Sequence, residues 1–264
     1  MIKLIVTDLD GTLLNSSKQY SPRLLPLLDL LEDRNIDFAF ASGRDVGSIS
    51  SNYPEIADRI GIIAENGLSL AYKKKLIYRN ELSSEEINTV ADVIGDSEGL
   101  HPIMFGSKGV YYLTHETDID FINRIRKYIS SSKVISDFRS VIGNDSITRI
   151  TVYSENDADT CNKLSRLSQD FIILPSGEGW IDIVKKGNDK GTGLRYLQNY
   201  LDVSSEETMC FGDYINDIAL MKNCYYSFAM KNAHPMLFSY SKYITEWTNE
   251  EDGVIRTIHQ ILNL

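Results

Sequence analysis

The sequence predicts an α/β protein: a parallel sheet covered by helices on both faces and interrupted in mid-chain by a separate α+β unit. Three observations carry this. From residue 4 to residue 64, short apolar runs alternate with helical stretches, the pattern of a parallel sheet with crossover helices. The same alternation returns after Lys185. Between the two, helices interleave with hairpin-like strands. One domain is therefore expected over 1–81 and 186–264, with an inserted unit over 82–185.

Leu4-Ile5-Val6 reads as a buried strand that stops at Asp8-Leu9-Asp10-Gly11-Thr12, where Gly and Thr bring turn chemistry. Ser21-Pro22 reads as a helix start, and six leucines between 24 and 31 give that helix a broad apolar face. A strand, Asp37–Ala41, ends at Ser42-Gly43-Arg44. A helix over 45–53 follows, and then a strand, Ile60–Ala64, ends at Glu65-Asn66-Gly67, which reads as a turn. Leu68–Tyr72 and Leu76–Tyr78 form a hairpin around Lys73-Lys74-Lys75.

In the insertion, helices are expected over 83–94, 117–130 and 155–168. Strands are expected over 101–106, 109–113, 134–137, 147–153, 170–174 and 180–184. The main domain resumes with a helix from Lys190 carrying Leu194, Leu197 and Leu201. A strand, Thr208–Phe211, then ends at Gly212-Asp213-Tyr214-Ile215-Asn216-Asp217. A helix through Leu220 and Met221, a strand Ser227–Met230, a helix after His234-Pro235 and a last helix from Gly253 complete the chain.

With 264 residues, 42% of them hydrophobic and 24% charged, the chain has ample material for a core. Its net charge of −10 argues against nucleic acid or an anionic membrane as partner, since a phosphate footprint needs surplus Lys and Arg. No apolar run reaches the ~18 residues of a membrane span, and no signal-peptide pattern opens the chain. Cys161, Cys210 and Cys224 are odd in number and widely spaced, which suits reduced thiols. A cytoplasmic protein is expected, with no protein partner implied. His101, His115, His234 and His259 have no spacing that suggests a ligand set.

Two carboxylates at the end of a buried strand, Asp8 and Asp10, cost desolvation and repel each other unless compensated. A divalent cation, a shared proton or a basic partner would each serve. Ligands of open parallel sheets bind beyond the carboxyl ends of the strands. Asp8, Asp10, Ser42, Asp213, Asn216 and Asp217 all follow such ends and are expected to converge. Lys190, at a helix start with free N–H groups, can join them. Carboxylate oxygens suit Mg²⁺ rather than zinc, and Ser42, Gly43 and Lys190 suit a phosphate. A carboxylate beside Mg²⁺ can attack phosphorus while a second one moves protons.

Asp8-Leu9-Asp10-Gly11-Thr12-Leu13-Leu14, Ser42-Gly43-Arg44, Lys190-Gly191 and Gly212-Asp213-Tyr214-Ile215-Asn216-Asp217 resemble the four ordered motifs of the haloacid dehalogenase superfamily. Within it the chain resembles the Cof-type phosphatases, and Gly253-Val254 is similar to that subfamily's closing helix. The resemblance implies a Rossmann-like core and Asp8 as nucleophile and metal ligand. It implies Asp10 as general acid/base with its backbone carbonyl on Mg²⁺, and Asp213 as a further metal ligand. Ser42, Gly43, Lys190 and Asn216 would hold phosphate, while Asp217 would bind metal through water or orient Lys190. Lys190 lacks the Pro that often precedes it in relatives and competes with Lys185, but the helix begins at Lys190.

Only 31 residues, 11–41, separate Asp10 from Ser42, whereas 147 lie between Ser42 and Lys190. That spacing resembles the family's larger cap, inserted between the second and third motifs. The implied function is a Mg²⁺-dependent phosphatase acting on small phosphorylated metabolites, sugar phosphates foremost, through an aspartyl phosphate. A phosphosugar mutase and a non-catalytic phospho-metabolite sensor are the alternatives. Ser176-Gly177-Glu178-Gly179-Trp180 is the expected substrate-contact loop of the insertion.

Overall fold

The computed structural model describes residues 1–95, 99–114, 118–128, 132–155, 157–177 and 179–264. His115 and Glu178 of the expectations above lie outside the described residues. The chain divides into two units: Met1–Arg79 with Asn188–Leu264, and Asn80–Gly187.

The first unit opens with β1 (Leu4–Thr7), α1 (Leu24–Asp33), β2 (Asp37–Ala41), α2 (Val46–Asn52), α3 (Pro54–Ala57), β3 (Gly61–Ala64), β4 (Ser69–Tyr72) and β5 (Lys75–Arg79). The inserted unit holds α4 (Ser84–Gly95), β6 (His101–Gly106), β7 (Gly109–Leu113), α5 (Ile119–Tyr128), β8 (Ser132–Ile135), β9 (Ile147–Tyr153), α6 (Asp157–Leu164), β10 (Phe171–Gly177) and β11 (Trp180–Lys185). The first unit then resumes with α7 (Lys190–Leu201), β12 (Thr208–Gly212), α8 (Ile218–Lys222), β13 (Tyr226–Ala229), α9 (Pro235–Phe238), β14 (Tyr243–Ile244) and α10 (Gly253–Leu262). No described helix is long and apolar enough to cross a membrane.

The sheet of the first unit runs β14-β13-β12-β1-β2-β3-β4-β5. The six strands from β14 to β3 are parallel, and β4 and β5 add an antiparallel edge. β1, β3 and β12 are buried along their whole length, because a sheet covered on both faces buries every residue of its central strands. The edge strand β5 is exposed at Lys75 and Leu76 and half-buried over 77–79, and it carries Lys75 and Arg79, charges that discourage pairing with another chain. From β1 the chain winds outward through β2 and β3, then returns to β12 on the other side of β1. That reversal makes the carboxyl ends of β1 and β12 a topological switch point.

Some local readings change. Helix α1 begins at Leu24 rather than Pro22, and Arg23 precedes it without a side-chain cap. The helix expected over 45–53 ends at Asn52. Tyr53 leaves helical geometry (φ −132°, ψ 58°) because Pro54 disfavours a helical residue before it, and Pro54 opens α3. The strand β14 and its pairing to β13 were not legible as an apolar run.

In the inserted unit the sheet runs β10-β11-β9-β6-β7-β8, antiparallel except for β7 beside β8. Ile150 and Val152 of β9, Met104 of β6, and Ile181 and Ile183 of β11 pack with Ile87, Val90 and Ile94 of α4 and Leu164 of α6. On the opposite side Ile103, Tyr153 and Trp180 pack with Phe121 and Ile125 of α5. Lys185 pairs with Glu86 at 2.8 Å inside this unit.

Candidate active site

Asp8, Ser42 and Asp213 each follow directly on the last residue of a parallel strand: Thr7 of β1, Ala41 of β2 and Gly212 of β12. Register sets them side by side, for Thr7 pairs with Phe40 in β2 and with Phe211 in β12. The backbone N–H of Asp8 donates to the Phe211 carbonyl at 3.0 Å, and that of Ser42 donates to the Ile63 carbonyl at 2.8 Å. Residues scattered through the sequence thus meet at the switch point.

Lys190, the first residue of α7, is fully buried, and its Nζ lies 2.6 Å from Oδ1 of Asp8 and 2.6 Å from Oδ1 of Asp217. Asp189 caps the helix by accepting from the Thr192 N–H, which fixes where α7 starts and so where Lys190 sits. Asp217 is fully buried as well. Its Oδ2 accepts from the backbone N–H groups of Asp213 (3.0 Å) and Tyr214 (3.1 Å). Both of its oxygens are therefore engaged. Asp213 Oδ1 accepts from the Thr12 hydroxyl at 3.0 Å. Gly11 stands at φ +86°, and a Cβ there would fall 2.4 Å from Asp213 Oδ2, so only glycine lets the turn pass beside this carboxylate.

Asp8, Asp213 and Asp217 each offer an oxygen within 4.8 Å of the other two. Burial pushes the Asp8 carboxyl up to about 7; Lys190 pulls it down, while Asp217 and Asp213 push it further up. Burial likewise raises Asp213, against the hydrogen bond from Thr12. Burial alone would lower Lys190, but Asp8 and Asp217 outweigh it and hold the ammonium firmly charged. Three carboxylates against one buried ammonium leave an excess of negative charge. An all-oxygen donor set of this kind fits a hard divalent cation such as Mg²⁺.

Asp10 is turned to a different set of partners. Arg44 holds it with two hydrogen bonds, Nε to Oδ2 at 3.0 Å and a terminal nitrogen to Oδ1 at 2.7 Å, and Lys18 Nζ reaches Oδ1 at 2.8 Å. Burial pushes Asp10 up, but Lys18 and Arg44 outweigh it and hold the carboxyl below its ordinary value. Arg44 also donates to the Tyr53 hydroxyl at 3.2 Å. The Ser42 hydroxyl accepts from the Arg44 N–H at 3.2 Å. Asn216 donates to Asn66 Oδ1 at 3.2 Å, and a Cβ on Gly43 would come within 3.3 Å of the Asn66 amide.

All eight side chains or backbones singled out in the sequence lie in the first unit: Asp8, Asp10, Ser42, Gly43, Lys190, Asp213, Asn216 and Asp217. Lys190, not Lys185, is the lysine that meets Asp8. Sequence reasoning passed over Thr12, Lys18, Arg44, Asn66 and Asn232. Asn66 looked like a turn residue and is one (φ 53°), yet its amide also reaches Asn216. Asn232 donates to the Gly11 carbonyl at 2.8 Å and so braces the turn after Asp10.

The model of one protein family, described as haloacid dehalogenase-like hydrolase, matches residues 5–258. The chain belongs to the haloacid dehalogenase-like hydrolases. As such a hydrolase it is an enzyme. It is 28% identical to the 5-amino-6-(5-phospho-D-ribitylamino)uracil phosphatase YbjI of Escherichia coli (strain K12), over 99% of this chain and 96% of that one. It is 26% identical to the 5-amino-6-(5-phospho-D-ribitylamino)uracil phosphatase YitU of Bacillus subtilis (strain 168), over 99% and 98%. Among solved structures, a haloacid dehalogenase-like hydrolase from Bacteroides thetaiotaomicron superposes with a TM-score of 0.78 at 25% identity, covering 99% of this chain and 100% of that one.

Proposed function

We propose that this hydrolase is a Mg²⁺-dependent phosphatase that cleaves small phosphate monoesters, sugar phosphates foremost, through an aspartyl-phosphate intermediate. The observation that carries the reading is the Asp8 carboxylate at the switch point, 2.6 Å from a buried Lys190 and flanked by Asp213 and Asp217. The phosphatases YbjI and YitU, similar along nearly the whole chain, support the reaction class.

An oxygen of Asp8 attacks phosphorus, the bond from phosphorus to the leaving oxygen breaks, and Asp10, protonated once its pairing with Lys18 and Arg44 loosens, gives that oxygen a proton. Water then attacks the phosphoaspartate, Asp10 takes its proton, and inorganic phosphate leaves. Ser42, the Gly43 N–H, Lys190 and Asn216 hold the phosphate oxygens. Asp8, Asp213 and the Asp10 carbonyl would hold Mg²⁺, whose charge would offset the repulsion between carboxylate and phosphate. Asp217, with both oxygens engaged, orients Lys190.

The test is a panel of phosphate esters with Mg²⁺, read as inorganic phosphate released. Turnover by the wild type, none by Asp8→Asn, and an acid-stable phosphoryl group trapped on Asp8 are expected. Phosphate retained and moved within the sugar, with a bisphosphate required, identifies a mutase. Tight binding with no turnover across the panel identifies a sensor.

A further inference from the structure

The chain leaves β3 through three successive residues with positive φ: Glu65 (51°), Asn66 (53°) and Gly67 (99°). The loop that joins β3 to β4 spans 65–68, since Ala64 pairs with Ser69. A hairpin loop of that length is ordinarily built on a right-handed turn, so the connection by itself does not call for this backbone. Left-handed geometry is unfavourable for a residue with a Cβ and persists only where the surroundings over-determine it.

Here each of the three residues is fixed by a part of the candidate site. The Glu65 N–H donates to the Arg44 carbonyl at 2.9 Å, and the Asn66 N–H donates to the Ser42 carbonyl at 3.0 Å. The Glu65 carboxylate also accepts from the Ser69 hydroxyl at 2.6 Å. Gly67 lies against the start of α7, where a Cβ would fall 2.1 Å from the carbonyl oxygen of Asp189, the residue before Lys190. Only glycine lets the chain pass there. The stretch is thus tied both to Ser42-Gly43-Arg44 and to the helix that carries Lys190.

What this backbone achieves is the placement of the Asn66 amide between two groups assigned to phosphate. Asn216 Nδ2 donates to Asn66 Oδ1 at 3.2 Å, and Asn66 Nδ2 lies 3.3 Å from where a Cβ on Gly43 would stand. Both asparagines are exposed, so their contact is not core packing. A planar amide nitrogen carries two hydrogens, and giving one of them to Asn66 fixes the direction of the other. We infer that Asn66 is a positioning residue of the phosphate site: it orients the Asn216 amide so that its second N–H meets a phosphate oxygen beside Gly43. This inference rests on the phosphatase reading above.

The test uses the full chain with Mg²⁺ and p-nitrophenyl phosphate, in the wild type, Asn66→Gly, Asn66→Ala, Asn216→Ala and the double variant Asn66→Gly/Asn216→Ala. Asn66→Gly keeps the left-handed backbone and removes the amide, whereas Asn66→Ala removes the amide and strains the backbone as well. Both should lose about 10- to 100-fold in kcat/KM, mainly through KM, the size of one hydrogen bond to a charged group. Only Asn66→Ala should also melt a few degrees lower. Because Asn66 acts through Asn216, the double variant should lie within twofold of Asn216→Ala. Losses that multiply in the double variant overturn the inference, as does an Asn66→Gly variant within twofold of the wild type. An activity loss that appears in Asn66→Ala alone and follows its melting temperature also overturns it, since the residue then only shapes the turn. If the wild type hydrolyses no ester, the phosphatase reading fails by itself, and calorimetric titration with inorganic phosphate decides the inference. Binding weakened at least tenfold in Asn66→Gly, and no further in the double variant, is expected; unchanged binding, or none by the wild type, overturns it. Should Asn66→Ala fail to fold, Asn66→Gly, Asn216→Ala and their double variant carry the comparison.

Discussion

Arg44 grips the carboxylate of Asp10 with two hydrogen bonds, at 2.7 and 3.0 Å, and Lys18 adds a third contact at 2.8 Å. Each contact favours the ionised carboxylate, so removing one raises the Asp10 pKa. The limb of the pH–rate profile that belongs to Asp10 is the one lost in Asp10→Asn, a variant expected to lower kcat by about 10²–10⁴-fold. In Arg44→Ala that limb should move to higher pH. Arg44→Lys should move it less, keeping one charge but losing the fork. A profile unmoved in Arg44→Ala would show that this pairing has no part in proton transfer.

The sequence reading reached the parallel sheet because each buried strand is a short apolar run closed by turn residues, as in Ile60–Ala64 before Glu65-Asn66-Gly67. It brought Asp8, Ser42 and Asp213 together because strand ends in a parallel sheet converge, and Lys190 to them because a helix starts there. Asn66 and Arg44 escaped a role for a different reason: what they do depends on partners distant in sequence, Asn216 across 150 positions and Asp10 across 34. No local pattern records such a contact. The start of α1 escaped because Ser21-Pro22 carries a start signal that the chain uses for a turn, not for the first helical residue. Two-residue β14 has no periodicity to read at all.

The crowded carboxylates predict a pH-dependent stability in the metal-free enzyme. Asp8 is raised to about 7 in the folded state, against about 3.9 for an unfolded Asp. Between those values the folded chain holds the proton more tightly, so the Asp8 contribution to stability falls as pH rises from about 4 to about 7. In chelator, Asp8→Asn should melt above the wild type at pH 8, and the gap should close by pH 5. Mg²⁺ at pH 8 should raise the wild type more than the variant. A variant melting below the wild type at pH 8 would contradict this, since it would mean that ionised Asp8 is net stabilising there.

Lys190 tests the opposite side of the same charge balance. It is fully buried and is the ammonium shared by Asp8 and Asp217. Lys190→Ala leaves two buried carboxylates facing one another, a change that costs about 3–5 kcal/mol for a broken buried pair. Urea unfolding should show that loss at pH 8. Adding Asp217→Asn to Lys190→Ala should recover part of it, because the second substitution removes one of the stranded charges. Independent, additive losses would mean that the lysine and Asp217 do not compensate each other.

Gly11 offers a steric test that leaves every charged group in place. Alanine there meets two obstacles at once: a backbone at φ +86°, which costs about 1 kcal/mol for a residue with a Cβ, and the Asp213 Oδ2 only 2.4 Å from that Cβ. Asp213 is held by Thr12 and packed beside Asp8 and Asp217, so it has to move out of the ligand cluster to admit the methyl group. Gly11→Ala should therefore lower kcat/KM by at least about 100-fold and weaken the Mg²⁺ dependence of activity, while melting only a few degrees lower. Gly95→Ala, at the end of α4 where a Cβ meets nothing within 4 Å, is the matched control and should leave activity as in the wild type. If Gly11→Ala keeps its activity, Asp213 is free to shift without loss, and its assignment as a metal ligand is wrong.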